Sequence, residues 1–516
     1  PPYSSAASDV YKRQELVAGF SNALTFYNVA FIFIGVAIGY LVGALPGLGK
    51  GTATAVAIPV TFYIEPLAAI AFLIGISKGS TAGSAVSAIL MNTPGEPSST
   101  PTALAGYPLA RAGKAQKALK MGLFASVIGD FVSTCVLILS AQSLADYALG
   151  IGPIELVAIL AFSLTFIAAL SGKSLVKGLI AGLFGILCST VGTEIETSTE
   201  RFTFGSFDLY EGLPLIPVAI GMLALSEMMV QIGDRKRLEQ ETDLLRGSGK
   251  PEDARVTWQD WKRSIKAIIR GTGIGIFIGI LPGLGASTGS FLSYGMARRA
   301  SKDPDSFERD GAIEGVAAAE SADNAVVPAS FVPLFALGIP GSVIAAILIG
   351  AFIIQGVTPG PLMFIEQAEL MQGIYASMLA ASLILLFIGY FGQNMFARVI
   401  KLSPSLVLSS VVFLCCLGSY LQGGGMFGLY IMAIFAVIGF FARKYDFSFV
   451  TFLIGFVVGD GFELALRQSI GLLKGTPEAM LDHPVAIIFW VLTLLGVLAI
   501  LRRKKTNPDP AEAAAE

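Results

Sequence analysis

The sequence predicts an all-α polytopic integral membrane protein, with roughly 11–13 spans plus broken or re-entrant helices arranged as two inverted-topology repeats. Three observations carry that prediction. The 516 residues are 54% hydrophobic and only 14% charged, with a mean hydropathy of +0.71, far from the soluble norm of about 25% charged. The pentapeptide Leu45-Pro46-Gly47-Leu48-Gly49 returns as Leu281-Pro282-Gly283-Leu284-Gly285, each copy closing a Gly-spaced apolar run. Lys and Arg are concentrated in a few connections, and those connections alternate along the chain.

Residues 1–14 hold no apolar core, so they read as neither signal peptide nor span and resemble a non-native leader. The first membrane repeat is placed at 15–232, a charged cytoplasmic linker at 233–262, the second repeat at 263–502 and a cytoplasmic tail at 503–516. Apolar runs long enough to cross about 30 Å of hydrocarbon begin near residues 20, 66, 116, 150, 173, 213, 264, 314, 371, 404, 427, 447 and 485. Shorter apolar pieces near 50–60, 98–108, 286–297 and 342–356 read as half-helices or re-entrant arms. Trp258 and Trp261, beside the linker, suit an interfacial position.

The short pieces follow four Pro-Gly breaks. Pro46-Gly47 and Pro282-Gly283 are the first pair; Pro94-Gly95, in Asn92-Thr93-Pro94-Gly95-Glu96-Pro97, and Pro340-Gly341, in Gly338-Ile339-Pro340-Gly341-Ser342, are the second. Proline removes a backbone donor and glycine frees the dihedrals, so each break leaves amides and carbonyls without intrahelical partners. Within hydrocarbon those groups need protein or a polar cavity to satisfy them. Broken segments paired between two halves are the pattern of a transport site.

Orientation follows from the basic connections at Arg111–Lys120, Arg235–Lys266, Arg298–Arg309, Arg398–Lys401, Arg443–Lys444 and Arg502–Lys505, all expected on the cytoplasmic side together with the C-terminus. In the first half the connection after the first break, Tyr63-Ile64-Glu65-Pro66, carries no basic residue and the one after the second break is basic. In the second half that order reverses, as an inverted repeat requires.

Composition excludes several classes. A net charge of −2 gives no basic face for nucleic acid. One histidine, His483, and four cysteines scattered through apolar runs offer no metal-ligand spacing, no disulfide framework and little for an intramembrane enzyme. Gly47-Leu48-Gly49-Lys50-Gly51-Thr52 is no Walker A loop, because Gly51 follows the Lys where Ser or Thr is required. No cofactor is expected beyond Na⁺ or H⁺ as a coupling ion.

Exposed helix ends at the breaks suit a carboxylate at the N–H end and Na⁺ at unwound carbonyls. The expected substrate site therefore comprises Pro46, Gly47, Gly49, Ser84, Asn92, Thr93, Pro94, Gly95, Pro282, Gly283, Gly285, Pro340, Gly341 and Ser342. Oxygen-bearing side chains near the breaks, Thr52, Ser287, Thr288, Glu320, Ser321, Asp323 and Asn324, are the expected coupling-ion residues. Lys50 and Lys78 could attract an anion, and Glu96 a cation or proton. Asp130, Glu227, Asp460 and Glu463 lie nearer helix ends and are expected at solvated or interfacial positions.

These motifs also carry a resemblance. Gly43-Ala-Leu-Pro-Gly-Leu-Gly49, Ala88-Ile-Leu-Met-Asn-Thr-Pro-Gly-Glu-Pro97, Thr102-Ala-Leu-Ala-Gly-Tyr-Pro108, Glu320-Ser-Ala-Asp-Asn-Ala325 and Leu337-Gly-Ile-Pro-Gly-Ser342 are similar to those of the large, TctA-type permease subunit of the tripartite tricarboxylate transporters. The likeness runs from about residue 16 to about residue 505. It implies a multi-pass bacterial inner-membrane symporter importing small carboxylates, with a small membrane subunit and a periplasmic solute-binding protein as partners. Two positions depart from the family pattern: Thr81-Ala82-Gly83-Ser84 lacks the common aromatic, and Asp323 stands where a second Asn is usual. The rival readings are a stand-alone organic-anion carrier and a channel.

Overall fold

In the computed structural model, residues 5–45, 49–170, 174–194, 197–233, 253–399, 404–473 and 477–506 are described. The described residues are overwhelmingly helical. In order, the first half contributes α1 Ser5–Ala23, α2 Phe26–Gly43, α3 Lys50–Ala57, α4 Pro66–Met91, α5 Thr100–Leu109, α6 Ala115–Ala148, α7 Pro153–Leu170, α8 Leu175–Ser189, α9 Leu215–Ala219 and α10 Ser226–Gly233. The second contributes α11 Trp258–Ile280, α12 Gly285–Arg299, α13 Ile313–Ala329, α14 Phe331–Leu337, α15 Val343–Ile354, α16 Met363–Glu366, α17 Ala368–Val399, α18 Pro404–Gln422, α19 Met426–Lys444, α20 Phe449–Leu473 and α21 Pro484–Thr506.

Among the described residues, six helical stretches are long and apolar enough to cross a membrane: Phe26–Gly43, Pro66–Met91, Pro97–Ala148, Ala368–Gly392, Met426–Lys444 and Phe449–Leu473. This is a multi-pass membrane protein. Shorter apolar helical segments run over Pro153–Thr165, Val176–Ser189, Leu215–Val230, Leu408–Gln422 and Pro484–Leu498, the runs near 264 and 314 lie in α11 and α13, and the four short pieces beside the breaks form α3, α5, α12 and α15.

The helices divide into two compact units, and each unit takes elements from both halves of the sequence. Pro1–Asp146 with Ile216–Val437 forms one, and Tyr147–Leu215 with Ile438–Glu516 forms the other. In the smaller unit α20 packs on α7 and α8, and α21 packs on α7. Its connection after α8 holds an antiparallel strand pair, β1 Gly192–Thr193 with β2 Glu200–Arg201, which the apolar pattern did not predict. Arg201 reaches Glu463 of α20 at 2.7 Å, which places that acid in a polar network with Arg467.

The larger unit is built on two close helix pairs, α2 with α4 and α11 with α13. A Cβ added at Gly35, Gly39 or Gly43 would run into the carbonyl of Phe72, Ile76 or Ser80 on α4. One added at Gly271, Gly275 or Gly279 would meet the carbonyl of Ala318, Ala322 or Val326 on α13. Small residues at four-residue steps let backbones approach where no hydrophobic drive separates helix from lipid. Both pairs keep the same register, for Ser80 and Val326 each lie twelve residues before the left-handed residue that closes the helical stretch, Asn92 or Gly338. The second stretch is interrupted at Ser330, dividing α13 from α14.

Two of the basic connections meet. Lys117 Nζ lies 3.2 Å from Asp260, and Lys120 Nζ donates to the Ala254 carbonyl at 2.8 Å. Thr257 and Asp260 form a capping box that starts α11, and Trp261 packs against Phe124 of α6. The expected connection between α5 and α6 is a kink within Ala110–Lys114, where Gly113 leaves helical geometry at φ 79°, ψ 11°.

Candidate functional site

The second break of each half is closed in the same way. Asn92 ends α4 at φ 53°, ψ 24°, and Gly338 ends α14 at φ 69°, ψ 14°. Asn and Gly are the residues that tolerate this left-handed end, and the Pro two positions later blocks continuation of the helix. Four residues after the left-handed residue the halves diverge. Ser342 caps α15, its Oγ accepting the Ala345 N–H at 3.2 Å and lying 3.0 Å from Ser330 Oγ. Glu96 stands in the same register, and its carboxylate instead accepts the backbone N–H of Lys50 at the start of α3.

Breaks also join one another. The Gly283 N–H donates to the Gly341 carbonyl at 3.0 Å, tying the two breaks of the second half together. In the first half a Cβ on Gly95 would lie 3.1 Å from the Gly43 carbonyl, and one on Gly49 would lie 3.2 Å from Glu96 Oε1. Arms from opposite halves then pair: α3 packs on α15, with Val343 and Ile347 beside Gly51, and α12 packs on the Pro97–Ser99 turn.

Charge converges where these arms meet α13. Lys50 Nζ lies 3.1 Å from Glu96 Oε2 and 3.2 Å from Asp323 Oδ1. Asp323 is 1% exposed, and its Oδ2 is buried with no hydrogen-bond partner. Glu320, one turn earlier on α13, is wholly buried; its carboxylate accepts from Thr102 of α5 at 2.6 Å, Ser126 of α6 at 2.9 Å and Asn324 at 3.4 Å. Buried carboxylates persist only when paired or hydrogen-bonded. Three carboxyl groups against one ammonium give a cluster suited to holding cations or protons beside an anion.

A second buried pair lies apart from this cluster. Lys78 Nζ is 2.8 Å from Asp130 Oδ2 and also meets Thr134, Ser382 and the Met378 carbonyl, linking α4, α6 and α17. Asp130 is 1% exposed, so its expected solvated position is corrected: the ammonium that satisfies it comes from another helix. The expectation that Lys78 attracts an anion is likewise corrected, because its buried ammonium is already saturated by oxygens of this chain.

The other predicted residues distribute as follows. Gly49, Gly95, Glu320, Asp323 and Asn324 belong to the cluster or its frame. Thr52 is buried on α3, and Ser84 Oγ lies 2.5 Å from Ser99 Oγ. Ser321 donates to its own helix at Ala318, and Thr93 to Met91. Asn92 is exposed, Ser287 half-buried, and Thr288 exposed with its hydroxyl on the Leu284 carbonyl. Pro282, Gly285, Pro94 and Pro340 shape the breaks themselves. Pro46 and Gly47 lie outside the described residues. Thr102 and Ser126 escaped the sequence reading. Ser126, Asp130, Ser133 and Thr134 mark one face of an otherwise apolar α6 at helical spacing, a signal that could have pointed to both buried clusters.

The chain matches the tripartite tricarboxylate transporter TctA family over residues 29–454, which spans the breaks, the cluster and both helix pairs. This chain belongs to the TctA family. A relative within curated proteins, the uncharacterized 52.8 kDa protein in the TAR-I ttuC′ 3′ region of Agrobacterium vitis, is 35% identical over 486 residues, covering 94% of this chain and 95% of that protein. The uncharacterized protein in the TAR-II ttuC′ 3′ region of the same organism is 32% identical over 235 residues, covering 45% of this chain and 97% of that protein. No solved structure matches the chain significantly. As a TctA-family member the chain is a membrane transporter subunit.

Proposed function

We propose that this chain is the membrane permease subunit of a binding-protein-dependent secondary transporter importing small carboxylates of the tricarboxylate and dicarboxylate class. Transport is coupled to a Na⁺ or H⁺ gradient and proceeds by alternating access around the broken helices. The observation that carries this reading is the Lys50–Glu96–Asp323 cluster: an ammonium and a helix N-terminus for an anion, beside buried carboxylates for a cation, at the point where arms of both halves pair. Asn92 and Thr93, with the glycines of the first breaks, complete the anion site, and Glu320, Asp323 and Asn324 take part in coupling.

The family's tripartite description supports a small membrane subunit and a periplasmic solute-binding protein as partners. The matched register of α2–α4 and α11–α13 supports a two-fold internal repeat, and the alternating basic connections support its inversion, with the C-terminus on the cytoplasmic side of a bacterial inner membrane.

The test is uptake of labelled citrate and succinate into proteoliposomes holding this chain and its small subunit, with and without the cognate binding protein and an inward Na⁺ gradient. Saturable uptake that requires both is expected. Uptake indifferent to the binding protein would instead mark a stand-alone carrier, and a non-saturating leak a channel.

A further inference from the structure

We propose that Lys50 is an exchange point: a substrate carboxylate takes Lys50 and the α3 N-terminus from Glu96, and the carboxylates so released create the site of the coupling cation. This rests on the carboxylate-import reading above and assigns its coupling step. The Glu96 carboxylate spans the first N–H of α3 and the Lys50 ammonium. That is the pair of donors an incoming carboxylate would use, a helix N-terminus reinforced by a charged donor. Glu96 therefore occupies the anion position with a group of the same chemistry as the substrate. The sister half has Ala286 for Lys50 and Ser342 for Glu96, so the corresponding breaks there lack the device.

The cation side follows from Asp323. One of its oxygens rests on Lys50 and the other is buried without a partner. When a substrate anion engages the ammonium, Asp323 is left as a buried carboxylate with Glu320 one turn away on the same face. A buried charge stripped of its partner is unstable until a counter-ion replaces it. Na⁺ or a proton is the replacement, and anion binding and cation binding then strengthen one another by equal factors. The ammonium of Lys50 is in this sense the resident stand-in for the transported cation.

The experiment needs no substrate for its first arm. The purified full-length chain is melted in detergent against increasing NaCl, with choline chloride holding ionic strength constant, and separately against pH. Lys50→Met should respond to Na⁺ or protons at concentrations about tenfold lower than wild type, within the usual range for coupled sites, and Lys50→Met/Asp323→Asn should lose that gain. A Lys50→Met response identical to wild type overturns the proposal. Glu96→Gln keeps the side-chain shape and an oxygen for the Lys50 N–H, and serves if Lys50→Met does not fold. With Na⁺ present, citrate or succinate should stabilise Glu96→Gln at concentrations about tenfold lower than wild type needs, because no resident carboxylate competes for Lys50, and an unchanged concentration dependence again overturns the proposal. If wild type responds to neither anion while Lys50→Met gains its Na⁺ response, the exchange stands and the carboxylate-import reading falls.

Discussion

Lys78 and Asp130 show how strongly a single charged residue can be committed inside this protein. The ammonium has four oxygen neighbours between 2.8 and 3.1 Å, contributed by α6 and α17, and neither partner is more than 2% exposed at the side chain. Removing one partner leaves the other charge buried and uncompensated, a loss of about 3–5 kcal/mol, whereas removing both can be nearly neutral. Lys78→Met and Asp130→Asn should each lower stability by that amount in denaturant unfolding, and the double variant should be markedly more stable than the sum of the two predicts. Two mild and additive effects would show that the pair is not a clamp between α4, α6 and α17. Neither this pair nor the Lys50 triad was legible as a pairing in the sequence. Lys50 and Asp323 are 273 positions apart, and the local apolar context of each acid or base records burial without naming the partner. The breaks were legible, because Pro, Gly and a left-handed residue act on the backbone where they stand.

The helix pairs carry a sharper constraint than apolarity. Along α11, Gly275 faces the Ala322 carbonyl, while Gly273, two residues earlier, has nothing within 4 Å where a Cβ would stand. Gly39 faces the Ile76 carbonyl in the corresponding contact between α2 and α4. Gly39→Ala and Gly275→Ala should therefore both push a helix pair apart, each costing about 1–3 kcal/mol from overpacking. Gly273→Ala should be neutral or stabilising by about 0.5–1 kcal/mol, because alanine removes only backbone freedom there. Melting temperatures of the three variants, measured side by side, check the claim; equal behaviour at positions 273 and 275 would remove the close-packing argument. The Gly spacing was visible in the sequence for both helices. Its target was not, since a carbonyl on a neighbouring helix leaves no mark in side-chain identity. The strand pair after α8 was invisible for a related reason: β1 and β2 are two residues each, too short for any alternation to show.

At the scale of the molecule, the two halves repeat their helix pairing in register, place a left-handed residue at the same point and send one arm each to the other half. If the halves are inverted, the connection after α3 and the connection after α12 lie on opposite sides of the membrane, although both follow the first break of their half. Tyr63 is 82% exposed in the first, and Lys302 is exposed in the second. The four native cysteines are buried or half-buried and can be replaced before labelling. Tyr63→Cys should react with a membrane-impermeant maleimide in right-side-out vesicles, and Lys302→Cys only in inside-out vesicles, in keeping with the Arg and Lys around it. Labelling of both from one side would mean a parallel repeat. The arms α3 and α12 would then enter from the same face, and a substrate site alternating between faces could not be built from their two ends.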